Sequence, residues 1–145
     1  MRRRTFIQLG LLLLPCGRVA AAQDELVKLQ IVVHPDNPIS ELDRDLLRDA
    51  FLKRATEWRT GETIRPIDLS RRFAVRERFT RDVLKKTPAQ LRSYWNQQIF
   101  SGKGVPPPEA NAVSDVIDYV LDHRGAVGYL PINAELGDVK LIRIN

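Results

Sequence analysis

Thiols and imidazoles are scarce in this chain. Its 145 residues hold one cysteine, Cys16, and two histidines, His34 and His123. A single thiol forms no intramolecular disulfide, and once the first 22 residues are removed no thiol chemistry is left. The histidines lie in different segments, and neither has the spacing of a metal pair such as H-x-x-x-H. A G-x-S-x-G nucleophile turn, a Walker-type loop and a G-x-G-x-x-G turn are all missing. Acidic pairs such as Asp43 and Asp45 stand at a helix start, where capping and the helix dipole account for them. The residue sets that mark an active site are therefore absent, and neither catalysis nor a cofactor or metal is expected. No internal repeat or low-complexity tract is present.

The apolar run from Phe6 to Pro15 falls short of the ~20 residues that span a bilayer. It follows a basic start (Arg2, Arg3, Arg4) and precedes Ala20-Ala21-Ala22. That order marks residues 1–22 as a cleaved secretory signal, which places the mature domain, 23–145, in the periplasm. "RRTFIQ" also resembles the twin-arginine export motif, with Arg2 where Ser or Thr is usual. "LLPC" hints at a lipidation site, but Pro15 stands where a small residue is expected. Four of the 23 basic residues (Arg2, Arg3, Arg4, Arg18) and none of the 18 acidic ones lie in this leader. The remainder, with 19 basic and 18 acidic residues, has a net charge of +1, so the formal +5 gives no reason to expect nucleic-acid binding.

Hydrophobic residues make up 43% of the chain, a globular composition with enough length for one domain with a core. Residues 26–33 are apolar and β-branched, as in a buried strand. "HPDNPIS" breaks that strand with turn chemistry, which is also the plainer account of His34 and Asn37 beside a cleft-facing one. Ser40 is expected to cap a helix whose buried stripe is Leu42, Leu46, Leu47, Ala50 and Phe51. Trp58 and Gly61 close that unit. Residues 64–69 predict a second strand, followed by a helix to about residue 86 that starts at Ser70. Thr87-Pro88-Ala89-Gln90 predicts a further helix start, with cap, proline and capping box in sequence. Trp58, Tyr94 and Trp95 are expected to pack in the core or against caps. Val113, Val116, Ile117, Val120 and Leu121 predict another helix, with Gly125 as its left-handed end residue. "AVGYL" and "VKLIRI" complete the pattern as strands. Alternating strands and helices with near-continuous apolar strands predict an α/β fold with a covered sheet.

"DLSRRFAVRERF" (Asp68 to Phe79) poses the functional question, since Arg71, Arg72, Arg76 and Arg78 crowd a predicted strand-to-helix junction. A helix start carries about +0.5 charge, so arginines there repel it unless an anion is shared. Phosphate or sulfate fits such a junction: the Ser70 hydroxyl donates, and Arg71, Arg72 or Arg76 forms a bidentate pair with it. Asp68 accepts a hydrogen from the anion or orients an arginine. The junction also lies at the carboxyl end of a strand, where ligands of open α/β sheets gather. The competing expectation is a solvated face whose arginines pair with Glu77 and Asp82. Ser101-Gly102-Lys103-Gly104 is a second candidate anion loop, with glycines that permit close backbone approach and a lysine for charge; a flexible helix stop is its alternative.

The segments "NPIS…L…FL…W", "YW…IFSGKG…PP" and "GAVGYLP" together resemble the short phosphate ABC transporter substrate-binding-like proteins of the type 2 periplasmic-binding-protein superfamily, over residues 29–144. The resemblance implies a single-lobe α/β domain, a central mixed sheet flanked by helices, that binds phosphate or a related oxyanion in connection with ABC transport. It also implies that Asp68 and Ser70 match the Asp and Ser of the family's oxyanion loop, while Leu69, Arg71 and Arg72 replace its glycines and threonine. With the arginines and the second loop read from the residues, the candidate ligand set is Asp68, Ser70, Arg71, Arg72, Arg76, Ser101, Gly102 and Lys103. Full-length relatives close two lobes on the ligand, which leaves an ABC permease, another envelope protein or a second copy of this chain as partner. The alternative is a non-catalytic envelope interaction or sensor module that keeps the fold without the ligand.

Overall fold

The five apolar or amide residues Leu29–Val33 form β1, the middle strand of a five-stranded sheet in the computed structural model, which describes residues 28–145. The signal sequence expected at 1–22 lies outside the described residues. Strand β2 is Glu41–Leu42, β3 is Arg65–Pro66, β6 is Ala126–Pro131 and β7 is Lys140–Ile144. The sheet order is β2-β7-β1-β6-β3. β1 runs antiparallel to both neighbours, with Ile31 opposite Tyr129 on one side and Ile142 on the other. The outer strands β2 and β3 run parallel to β7 and β6, so the sheet is mixed. β1 and β6 are buried along nearly their whole length, as the unbroken apolar runs predict. β7 alternates, with Ile142 buried and Leu141 exposed. Pro66 sits in an outermost strand, where its missing N–H costs the ladder nothing.

Among the described residues four helices cover the sheet: α1 (Arg44–Phe51), α2 (Ala74–Asp82), α3 (Pro88–Phe100) and α4 (Val113–Asp122). Successive residues of β6 point to opposite faces. Gly128 meets Val116 of α4, while Tyr129 meets Phe51 of α1 and Phe79 of α2 on the other side. The α1 cap is Asp43, not Ser40: its carboxylate accepts from Asp45 N at 2.6 Å and Leu46 N at 3.3 Å. The α3 start has the capping box that the sequence predicts, with Thr87 Oγ1 accepting from Gln90 N and Gln90 Oε1 from Thr87 N.

The strand expected at 64–69 is split. β3 joins the main sheet, whereas Asp68–Leu69, β4, pairs parallel with Glu109–Ala110, β5, in a separate two-stranded sheet. Asp68 N donates to Pro108 O and Ser70 N to Ala110 O. Gly125 is not a left-handed helix end. A Cβ there would stand 1.9 Å from Thr63 O, so glycine is required because two backbones nearly touch. Among the described residues no helix is long and apolar enough to cross a membrane.

Candidate functional site

The strand break places Asp68 at the meeting point of the two sheets, buried with its side chain only 6% exposed. Three groups converge on the carboxylate. Tyr129 donates its hydroxyl to Oδ1, Leu69 N donates to Oδ1 at 3.0 Å, and Arg76 Nη1 lies 3.0 Å from Oδ2. The Tyr129 ring is fixed by stacking on Phe79 at 4.0 Å between centroids. Arg76 reaches back from α2, donates to Leu69 O, and has Glu109 Oε1 at 3.5 Å. Burial raises the Asp68 pKa from 3.8 to about 6, against the opposing pull of Arg76 and the Tyr129 hydrogen bond. Tyr129 is pushed well above its ordinary value, chiefly by burial and then by the Asp68 charge beside it. At neutral pH the group is thus an ionised carboxylate in a ring of donors, satisfied within the fold.

The helix after β4 starts later than the sequence predicts. Ser70 to Phe73 form a turn closed by Phe73 N to Ser70 O at 3.1 Å, and α2 begins at Ala74 with Phe73 as a cap that offers no side-chain bond. Ser70 is therefore not the N-cap; its hydroxyl oxygen is buried without a hydrogen-bond partner. The four arginines separate. Arg72 donates to Asn111 O and lies over the Phe73 ring, tying the β4–α2 turn to the segment after β5. Arg78 pairs with Asp82 along α2, the solvated-face arrangement. Arg76 is held by Asp68 and Glu109. Arg71 is exposed and lines a cavity of about 400 Å³ between α2 and α3, together with Arg76 and, from α3, Arg92.

The acids of that cavity are already engaged. Glu77 pairs with Arg81 at 2.9 Å, and Glu109 with Arg76. Arg71 and Arg92 have no ion-pair partner among the described residues. The 101–104 loop is not part of this lining. Ser101 Oγ donates to Gln97 O at 2.8 Å, Gly102 adopts φ +70° and Lys103 N donates to Gln98 O, so the loop closes α3 as a helix stop. His34 and Asn37 serve their turn: Asn37 N donates to His34 O, and Asn37 Oδ1 accepts from Ile39 N. Among the described residues no three His, Cys, Asp or Glu side chains are grouped to hold a metal. Leu91 and Trp95 pack in the core as the sequence predicts, and their edges also line the cavity. Arg92, beside them on α3, is the lining residue that the sequence reading does not single out.

No family model and no curated protein sequence matches the chain. Several solved structures match its fold. An ABC-type phosphate transport receptor from Vibrio cholerae aligns over 80% of this chain and 45% of its own, at 21% identity and a TM-score of 0.64. A protein assigned as a phosphate ABC transporter substrate-binding protein from Clostridium perfringens, solved with bound phosphate, aligns over 80% and 44%, at 14% identity and TM-score 0.62. PstS from Borrelia burgdorferi aligns over 81% and 47%, at 12% identity and TM-score 0.58. The chain spans less than half the length of each of these proteins. Its mixed α/β domain has the fold of a single lobe of the phosphate-type substrate-binding proteins of ABC transport.

Proposed function

We propose that this is an exported, periplasmic solute-binding domain that takes up phosphate or a related oxyanion in connection with ABC transport. The observation that carries the reading is the pair of exposed arginines, Arg71 and Arg92, that line one cavity while every acid beside them is engaged elsewhere. Two guanidinium forks without carboxylates suit a tetrahedral oxyanion, which accepts paired N–H donors. Arg76 adds positive potential but keeps its own partners, so it orients more than it binds. Asp68 and Ser70 support the turn that presents Arg71, and Arg72 fastens that turn to Asn111. The signal-like residues 1–22 and the fold of the solved neighbours favour export and transport over catalysis.

Calorimetric titration of the purified protein with inorganic phosphate at low salt tests the reading. Saturable binding is expected, weakened roughly three- to tenfold by Arg71→Ala and by Arg92→Ala, the range of a partly solvated charge contact. Absence of saturable heat up to millimolar phosphate would remove the oxyanion role.

A further inference from the structure

We propose that the ligand of this cavity is an organic oxyanion, a phosphate or phosphonate headgroup joined to an apolar body about the size of an aromatic ring. The inference rests on the oxyanion reading above and adds what the rest of the ligand is. Size is the first reason. A cavity of about 400 Å³ is far more space than a five-atom tetrahedral ion fills.

The division of chemistry between the walls is the second reason. The α2 side offers Arg71, Arg76 and Glu77. Thr80 lies there too, but its hydroxyl donates to Arg76 O and is taken. The α3 side offers Leu91, Trp95 and Ile99, four residues apart and so in one line along the helix, with the polar Arg92 and Asn96 beside that line. An inorganic ion accepts hydrogen bonds on all sides and gains nothing from such a line. A ligand with one charged end and one apolar end satisfies both walls.

Exposure is the third reason. Ile99 is 51% exposed although it stands at the end of that line, whereas Leu91 and Trp95 are buried and reach the cavity only at their edges. Apolar surface left in water at a cavity mouth is what a ligand body would cover. Arg92 flanks the same line, so a headgroup held by Arg71 and Arg92 brings its substituent against Trp95 and Ile99.

Calorimetry of the full chain with inorganic phosphate, phenyl phosphate and phenol tests this. Phenyl phosphate is expected to bind at least about tenfold more tightly than inorganic phosphate, equivalent to ~1.4 kcal/mol. Phenol should give no saturable heat. Ile99→Ser, at a half-exposed position that does not hold the core, should reduce the preference for phenyl phosphate over inorganic phosphate by about threefold or more. Equal affinity for the two phosphates, or a preference that survives Ile99→Ser, would overturn the organic ligand and leave the oxyanion reading standing. Phenol binding as tightly as phenyl phosphate would overturn it too, since the headgroup would then be irrelevant. Binding of none of the three would overturn both.

Discussion

Asp68 shows how one buried carboxylate can be surrounded by donors and still keep its proton to a higher pH than a free one. Arg76 and the Tyr129 hydroxyl stabilise the charge, but removal from water outweighs them, and its pKa rises from 3.8 to about 6. The sign for stability follows. Below pH 3.8 the group is protonated whether the chain is folded or not. Between 3.8 and 6 the unfolded chain releases the proton while the fold retains it, so this contribution to stability declines as pH rises and is lost above 6. Asp68→Asn does not titrate. Urea unfolding should therefore show the stability of the wild type relative to this variant falling between pH 4 and pH 7, by on the order of 2–3 kcal/mol. A wild-type advantage that grows with pH would mean that Arg76, not burial, governs the carboxylate. No sequence pattern announces this, because Tyr129 lies 61 residues from Asp68 and reaches it only through the register of β6.

At the scale of elements, legibility followed how local the cause was. The α3 start was readable because Thr87, Pro88 and Gln90 act within one turn. The buried character of β1 and β6 was readable because apolar runs need cover on both faces. The break between β3 and β4 was not, since it depends on Pro108 and Ala110 arriving from forty residues away to pair with Asp68 and Ser70. Beyond that break α2 starts past Ser70 and the arginines of 71–78 are dispersed, so the proposed site draws on the turn before α2 and on α3 and not on one stretch of sequence. Gly128 belongs here as well. A Cβ at this strand position would lie 2.9 Å from both Ile67 Cγ2 and Val116 Cγ1, side chains already locked in the core. Gly128→Ala should destabilise the fold by about 1–3 kcal/mol through overpacking of α4 against β6. A lowered urea midpoint with unchanged slope checks it; a variant as stable as the wild type would show that α4 can move away without loss.

At the scale of the whole molecule, the exposure of the proposed site decides how salt should act on it. Arg71 and Arg92, which line the α2–α3 cavity, are both exposed. Charges in contact with solvent act across water, where ions screen them: the Debye length shrinks from about 30 Å at 0.01 M salt to about 10 Å at 0.1 M. An anion shut off from solvent would be spared most of that screening. Here the electrostatic share of binding should fall steeply with salt, while any contact with Leu91, Trp95 and Ile99 should not. Phosphate affinity measured from 10 mM to 200 mM sodium chloride is therefore expected to drop by about threefold to tenfold. The salt slope should flatten in Arg71→Ala, because one of the two screened partners is gone. A salt-independent affinity would mean that the anion is enclosed after all. Analytical ultracentrifugation with and without phosphate would then show whether another copy of the chain encloses it.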